Sequence, residues 1–151
     1  MKQSTFIMFK PDTLERHLES DIIKIFLEQG YHIERSREVI VDEKLILTHY
    51  EEVIKAVNKD YFKNGVLTAF RGKRVLAYEI SKDSEDVVHE VRDLIGATDP
   101  SKALSTCIRG RFGMDSIEKA MSEKRMVNNL IHASDSIESV ERELKLWFEQ
   151  D

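Results

Sequence analysis

Apolar and polar positions along the chain change period several times, and each change marks an element. The run "STFIMF" (4–9) is short and β-prone, and it stops at "KPD", where Pro11 cannot donate to a ladder and turns its predecessor away from the helical region. A strand followed by a turn is predicted. From Leu18, apolar side chains recur at three and four residues through Ile22, Ile23, Phe26 and Leu27 until Gly30, the pattern of a helix with a natural stop. "YHIERSREVIV" (31–41) alternates loosely, as a second strand does, and "DEKLILTHYEEVIKAV" (42–57) has the acidic opening and periodicity of a helix. "RVLAYEI" (74–80) reads as a third strand, and "SEDVVHEVRDLIGA" (84–97) as a helix with Ser84 at its N-cap and its end near Gly96. In "GMDSIEKAMSEKRMVN" (113–128), Met114, Ile117 and Met121 keep helical spacing before the sequence turns polar, which predicts a short helix and a loop. "DSIESVERELKLWFEQ" (135–150) supplies the last helix, with Ile137, Val140, Leu144, Trp147 and Phe148 as its apolar stripe.

Strands alternating with helices imply an α/β sandwich, one sheet with helices packed on it. Periodicity does not choose between a parallel and an antiparallel sheet. At 151 residues, without repeats or a Gly/Ser-rich linker, the chain is expected to form one domain. Its 41% apolar and 34% charged residues are those of an ordinary soluble protein. No apolar run reaches the length of a membrane span, and "MKQSTFIMFKPD" meets charge and proline before a signal-peptide core could form, so a cytoplasmic location is expected. The net charge of -5 weighs against a nucleic-acid partner, although "FRGKR" (70–74) is locally basic. Cys107 stands alone, so it offers neither an internal disulfide nor a cysteine metal cluster.

Among the five histidines no close pair has the helical spacing of a metal site. A Walker-type phosphate loop and a serine nucleophile elbow are both absent from the sequence. Three cations do sit beside turns or strand ends: Lys10 in "FKPD", Arg92 in "VRDLIGATDP" and Arg109 in "CIRGRFG". Several convergent cations are what a polyphosphate requires, since each charge-assisted hydrogen bond contributes about 1.5–3 kcal/mol. Pattern alone reads them equally as solvated surface residues.

Five blocks change that picture: "TFIMFKPD", "THY" (48–50), "LIGATDP" (94–100), "IRGRFG" (108–113) and "NLIHASDSIESVERELKLWF" (129–148). In their order and spacing the chain resembles the nucleoside diphosphate kinases along nearly its whole length. The resemblance implies a ferredoxin-like sandwich with a four-stranded antiparallel sheet covered by helices. It implies ping-pong transfer of a γ-phosphate from a nucleoside triphosphate to a nucleoside diphosphate, with His132 as the phosphorylated nucleophile. Imidazole suits the role, because an unperturbed pKa of about 6.5 leaves a neutral ring nitrogen available near neutrality. Glu143 would orient the ring, and Ser134 matches the serine beside the histidine. Wheel arithmetic puts Glu141 and Glu143 on opposite edges of the apolar stripe and cannot choose between them; the resemblance chooses Glu143. Asp135 and Ser136 read as helix caps.

Phosphate and sugar contacts carry over to Lys10, Tyr50, Arg92, Thr98, Arg109 and Asn129, and Tyr61 or Phe62 falls where a ring stacks on the base. Mg2+ is implied as cofactor, held by the nucleotide phosphates with no ligand from the protein. ATP and other nucleoside tri- and diphosphates are the implied partners, together with further copies of the chain in a homo-oligomer (dimer, tetramer or hexamer). The chain also departs from the pattern. Thr13 and His17 replace glycines, which predicts a turn without positive φ there. Ser105 and Thr106 stand near the places of a proline and a glycine, and Arg111 replaces an acidic residue. The stretch between Arg109 and Asn129 is longer than usual, and 113–128 is expected to be an added helix that covers the nucleotide or enlarges a subunit interface. These departures motivate an alternative: a catalytically silent nucleotide-binding or regulatory module on the same scaffold.

Overall fold

A buried central strand, β1 (Lys2–Phe9), organises the molecule. The computed structural model describes residues 1–149, so Gln150, at the end of the last predicted helix, lies outside the described residues. Phe6 and Met8 point to one face of β1 and Ile7 and Phe9 to the other, and all four are fully buried. A strand covered on both faces has no polar alternation to keep, which is why "FIMF" is continuously apolar.

β1 pairs antiparallel with β3 (Arg74–Asp83) on one side and with β4 (Ile131–Ala133) on the other, and β3 pairs antiparallel with β2 (His32–Ile40). The order β2-β3-β1-β4 is the ferredoxin-like arrangement, and all its pairings are antiparallel, as the resemblance implies and periodicity alone could not choose. β2 is an edge strand, exposed over most of its length, and it carries a bulge between Ile33 and Arg35. One face of the sheet is covered by α2 (Glu19–Glu28) and α6 (Val87–Ile95), through Ile22, Phe26, Val87, Val91 and Ile95. The other carries α3 (Glu43–His49), α5 (Phe62–Phe70) and α9 (Ile137–Phe148), through Ile46, Val66, Phe70 and Trp147.

Several local expectations are corrected. The turn after β1 is a short helix, α1 (Pro11–Glu15), and His17 behind it has φ of 56°, so positive φ is not avoided there. The His17 amide donates to Leu14 O and the Leu18 amide to Thr13 O, at 3.1 and 2.9 Å, the paired bonds that close a helix through a left-handed residue. Histidine thus occupies a position that glycine would fill without strain. The segment 42–57 is two helices, α3 and α4 (Glu51–Val57), because the chain bends at Tyr50, which ends one and begins the other. Ser84 is not the N-cap of α6: the helix starts at Val87 with Asp86 at its cap, and the Ser84 hydroxyl instead accepts the Asp86 amide. In α9, Ile137 is 63% exposed and leaves the stripe, whereas Glu143 is buried within it. Asp135 makes no bond to a helix amide; it accepts the Ser139 hydroxyl, and Ser136 alone caps α9 by accepting the Ser139 amide at 3.0 Å. Among the described residues, no helix is long and apolar enough to cross a membrane.

Candidate functional site

β4 is three residues long, and alternation along it decides where His132 points. Ile131 and Ala133 join the cluster under α2 and α6, so His132, paired with Met8, turns to the opposite face. There it meets Phe6, His49 and Tyr50, with ring centroids at 5.9, 4.4 and 6.1 Å. Glu143 of α9 brings Oε1 to 2.8 Å from His132 Nε2, and the same oxygen accepts the Ser134 hydroxyl at 2.7 Å. Burial opposes a charge on Glu143, yet its hydrogen bonds with His132 and the Ser134 hydroxyl hold its pKa down to about 2. An ionised carboxylate only accepts, so the proton on the imidazole sits on Nε2 and Nδ1 keeps its lone pair. Among the described residues, nothing hydrogen-bonds Nδ1.

The approach to β4 is strained. Leu130 has φ of 75°, and the Ile131 amide donates across it to Asn129 O at 2.8 Å, the bond of a γ-turn. Asp12 accepts the Leu130 amide, while Leu130 O accepts the Lys10 amide and the Thr13 hydroxyl. These bonds hold a conformation that an isolated leucine would leave, at a cost of about 1–3 kcal/mol.

Around His132 the three sequence-distant cations converge. Lys10, only 3% exposed, donates to Asn129 Oδ1 at 2.8 Å and to Val127 O at 3.2 Å. Burial lowers its pKa to about 8, with Asp12 opposing and Arg109 adding to the shift. Arg109, from α7 (Ile108–Phe112), gives three donors to the backbone: Asn129 O at 3.2, Gly96 O at 3.1 and Ile131 O at 2.6 Å. Arg92 donates to Ala133 O at 3.1 Å. Asn129 ties the Thr98 loop to the site, since its amide donates to Thr98 O at 3.0 Å. Burial pushes the Tyr50 hydroxyl pKa up, so it stays protonated.

All of these side chains open on one cavity of about 410 Å³. Lys10, Tyr50, Tyr61, Phe62, Arg92, Thr98, Arg109, Asn129, His132 and Glu143 line it, whereas Ser134 stands behind Glu143, fully buried. Its other walls include apolar side chains, Val53 and Val57 of α4 and Ile117, Ala120 and Met121 of a further helix, α8 (Ile117–Ser122), together with the polar Lys59, Arg125 and Asp135.

His49 is the residue that sequence reasoning passed over, although it stands inside the quoted "THY". Trp147 donates its indole N–H to His49 Nδ1 at 3.0 Å, which places the His49 proton on Nε2, and burial lowers the ring's pKa to about 3. It is a permanently neutral neighbour of His132. Potential ligand atoms of His49, His132 and Glu143 lie within 4.8 Å of one another, a grouping that histidine spacing did not reveal. A cation finds no lone pair on His49, however, because one ring nitrogen is engaged by Trp147 and the other is protonated.

Comparisons with known proteins agree with one another. The family model described as nucleoside diphosphate kinase matches residues 3–151. The nucleoside diphosphate kinase of Exiguobacterium sibiricum is 39% identical over 147 residues, covering 97% of this chain and 95% of that protein. That of Methanosphaera stadtmanae is 35% identical over 150 residues, covering 99% and 88%. Among solved structures, a transition-state mimic of the Borrelia burgdorferi nucleoside diphosphate kinase with bound vanadate and ADP superposes with a TM-score of 0.90 at 28% identity, over 97% of this chain and 87% of that one. The apo enzyme of Encephalitozoon cuniculi gives 0.81 at 36% identity, over 99% and 90%.

Proposed function

The chain belongs to the nucleoside diphosphate kinase family, an enzyme that moves phosphate between nucleotides, and from that premise we propose that it works by a ping-pong mechanism through phosphorylated His132. The observation that carries this reading is the His132–Glu143 pair: with Nε2–H engaged by the carboxylate, Nδ1 offers its lone pair toward a cavity rimmed by cations. In the first half-reaction Nδ1 attacks the γ-phosphorus of a nucleoside triphosphate, the bond to the β–γ bridging oxygen breaks, and the nucleoside diphosphate departs with that oxygen. In the second, a terminal oxygen of another nucleoside diphosphate attacks the same phosphorus, and the N–P bond breaks. Neither step moves a proton from the nucleophile, so no separate base is needed.

Lys10, Arg92 and Arg109 face the charge that spreads over the phosphoryl oxygens, and the neutral Tyr50 hydroxyl and Thr98 add donors. Asn129 holds Lys10 in place. Of the two carboxylates that line the cavity, Glu143 is engaged by His132, Ser134 and Arg142, and Asp135 accepts from Ser139. That donor set fits a magnesium ion carried in on the nucleotide phosphates, where it neutralises their charge, rather than one caged by the protein. Tyr61 or Phe62 stacks on the base, a contact available to every base, and broad specificity follows. A homo-oligomer in the cytoplasm completes the reading, and elution of the native protein as a monomer would remove its first half.

The test is direct. Incubation with γ-labelled ATP and Mg2+ yields acid-labile protein phosphate that a second nucleoside diphosphate removes, and His132→Ala abolishes it. Labelling retained in that variant refutes the nucleophile.

A further inference from the structure

β4 is an edge strand of three residues that pairs with β1 alone, and side chains from other elements grip the carbonyls along and before it. Arg109 donates to Asn129 O and Ile131 O, and Arg92 donates to Ala133 O. Between them stands Leu130, whose φ of 75° is the strained point of the approach. Both lone pairs of its carbonyl oxygen are taken: the Lys10 amide donates to it at 2.9 Å and the Thr13 hydroxyl at 2.7 Å. Thr13 and Leu130 are each fully buried, so water does not stand in for that hydroxyl. Thr13 is itself held from behind, because its carbonyl accepts the Leu18 amide at 2.9 Å across the left-handed His17. The two places where the chain departs from glycine after "KPD" thus belong to one turn, and that turn is fastened to the residue two before His132. Lys10, Arg92 and Arg109 also line the cavity, whereas Thr13 does not.

We propose that Thr13 is a positioning residue: its hydroxyl on Leu130 O holds the strained turn that presents His132 Nδ1 to the phosphate. The proposal rests on the reading above, in which Nδ1 attacks phosphorus. A leucine at positive φ has relaxed alternatives at negative φ, and reaching one rotates the peptide planes on either side of it. That rotation swings the Leu130 carbonyl away from both donors and displaces the start of β4. Each bond to the oxygen therefore weights the balance toward the strained form, and the hydroxyl is the half of the grip that a glycine at 13 lacks. Glu143 fixes the proton and one edge of the His132 ring, but not the backbone that carries it. In-line attack is sensitive to displacements of about 1 Å, so the brace is felt in the rate of transfer. Affinity is spared, because the phosphates are met by side chains that the Thr13 hydroxyl does not touch.

The experiment separates the hydroxyl from the space it fills. Thr13→Val keeps the shape of the side chain and removes the hydroxyl, Thr13→Ser keeps the hydroxyl, and Thr13→Gly removes it without adding an atom. In rapid-quench single turnovers with γ-labelled ATP and Mg2+, Thr13→Val and Thr13→Gly are expected to phosphorylate His132 about tenfold more slowly at saturation. The ATP concentration for half-maximal rate is expected to stay within about twofold, and Thr13→Ser to restore the rate. An unchanged rate in the valine and glycine variants, a loss shared equally by rate and affinity, or no recovery with serine overturns the proposal. The Ile131 amide, which closes the turn on Asn129 O, supplies a readout that needs no chemistry at His132. By NMR its hydrogen exchange is expected to be about tenfold faster in Thr13→Val, and unchanged protection overturns the brace. A wild type that is never labelled on His132, yet whose Ile131 amide is freed by Thr13→Val, supports the brace and removes the phosphohistidine. A labelled wild type whose rate and exchange are indifferent to Thr13 does the reverse.

Discussion

At the scale of single residues, the site is an exercise in fixing protons. Glu143 holds the His132 proton on Nε2, Trp147 holds the His49 proton on Nε2, and burial keeps Tyr50 protonated. Replacing Glu143 by Gln keeps the shape and removes the charge that fixes the tautomer. The rate of His132 phosphorylation, followed by rapid quench, is expected to fall by about 10²-fold or more, as misplacing a reacting group does. Lys10 gives a pH signature. Its pKa is lowered to about 8, so its charge, which the proposed mechanism turns toward a phosphate, is present below that pH and lost as pH rises through it. ADP affinity should accordingly drop on the alkaline side near pH 8, and Lys10→Arg, whose guanidinium stays charged, should abolish that limb in a calorimetric titration. Arg109 is different in kind, because three of its donors already serve backbone carbonyls. Arg109→Ala is expected to destabilise the fold by about 3 kcal/mol or more, read from urea unfolding, since it leaves buried acceptors without partners. A loss of activity in that variant would report the scaffold as well as the proposed substrate contact.

Elements follow from caps and bends as much as from apolar period. α9 begins where the Ser136 side chain takes the Ser139 amide, whereas Asp135 takes only a hydroxyl at the surface. Ser136→Ala should therefore lower stability by about 1 kcal/mol. Asp135→Ala should stay within about 0.5 kcal/mol, and thermal melts compare the two. The continuous periodicity of 42–57 did not show the break at Tyr50, because α3 and α4 present apolar residues on either side of it and no Gly or Pro marks the bend. The break has a use: it aims Tyr50 and His49 at His132 while Val53 and Val57 reach the far wall. His17 shows the converse, a residue type that disguises a left-handed position. His17→Gly is expected to raise stability by about 0.5–1 kcal/mol, with the melting temperature as readout.

For the whole molecule, the buried Glu143 links the site to the stability of the fold. Its pKa falls from an ordinary 4.5 to about 2 on folding, so its contribution is complete above pH 4.5 and is lost as pH falls toward 2. Urea unfolding of the wild type and of Glu143→Gln should converge across that window; a constant gap would show that the carboxylate is not ionised by its surroundings. Much of this architecture was legible beforehand. Three strands, the helix stopped by Gly30, the helix over Val87–Ile95, the last helix and the short helix in 113–128 all stand where apolar spacing put them, because those spacings are imposed by one buried face. β4, α5 and α7 left no such trace. β4 is three residues long, α7 is five, and α5 is set off by no cap that the sequence announces. By itself, the sequence determined which segments could bury a face, that the chain has the composition of a folded domain and, through its motif spacing, which side chains were candidates for chemistry. Apolar spacing chose neither the sheet direction nor Glu143 over Glu141, which only the motif resemblance implied; the tertiary structure alone decided the enlistment of His49 and the meeting of Lys10, Arg92 and Arg109 in one cavity. The reason is physical: periodicity records which way a side chain faces along its own element, whereas a site is made by distances between elements, and those depend on how β1 and β4 pair and on what packs over them.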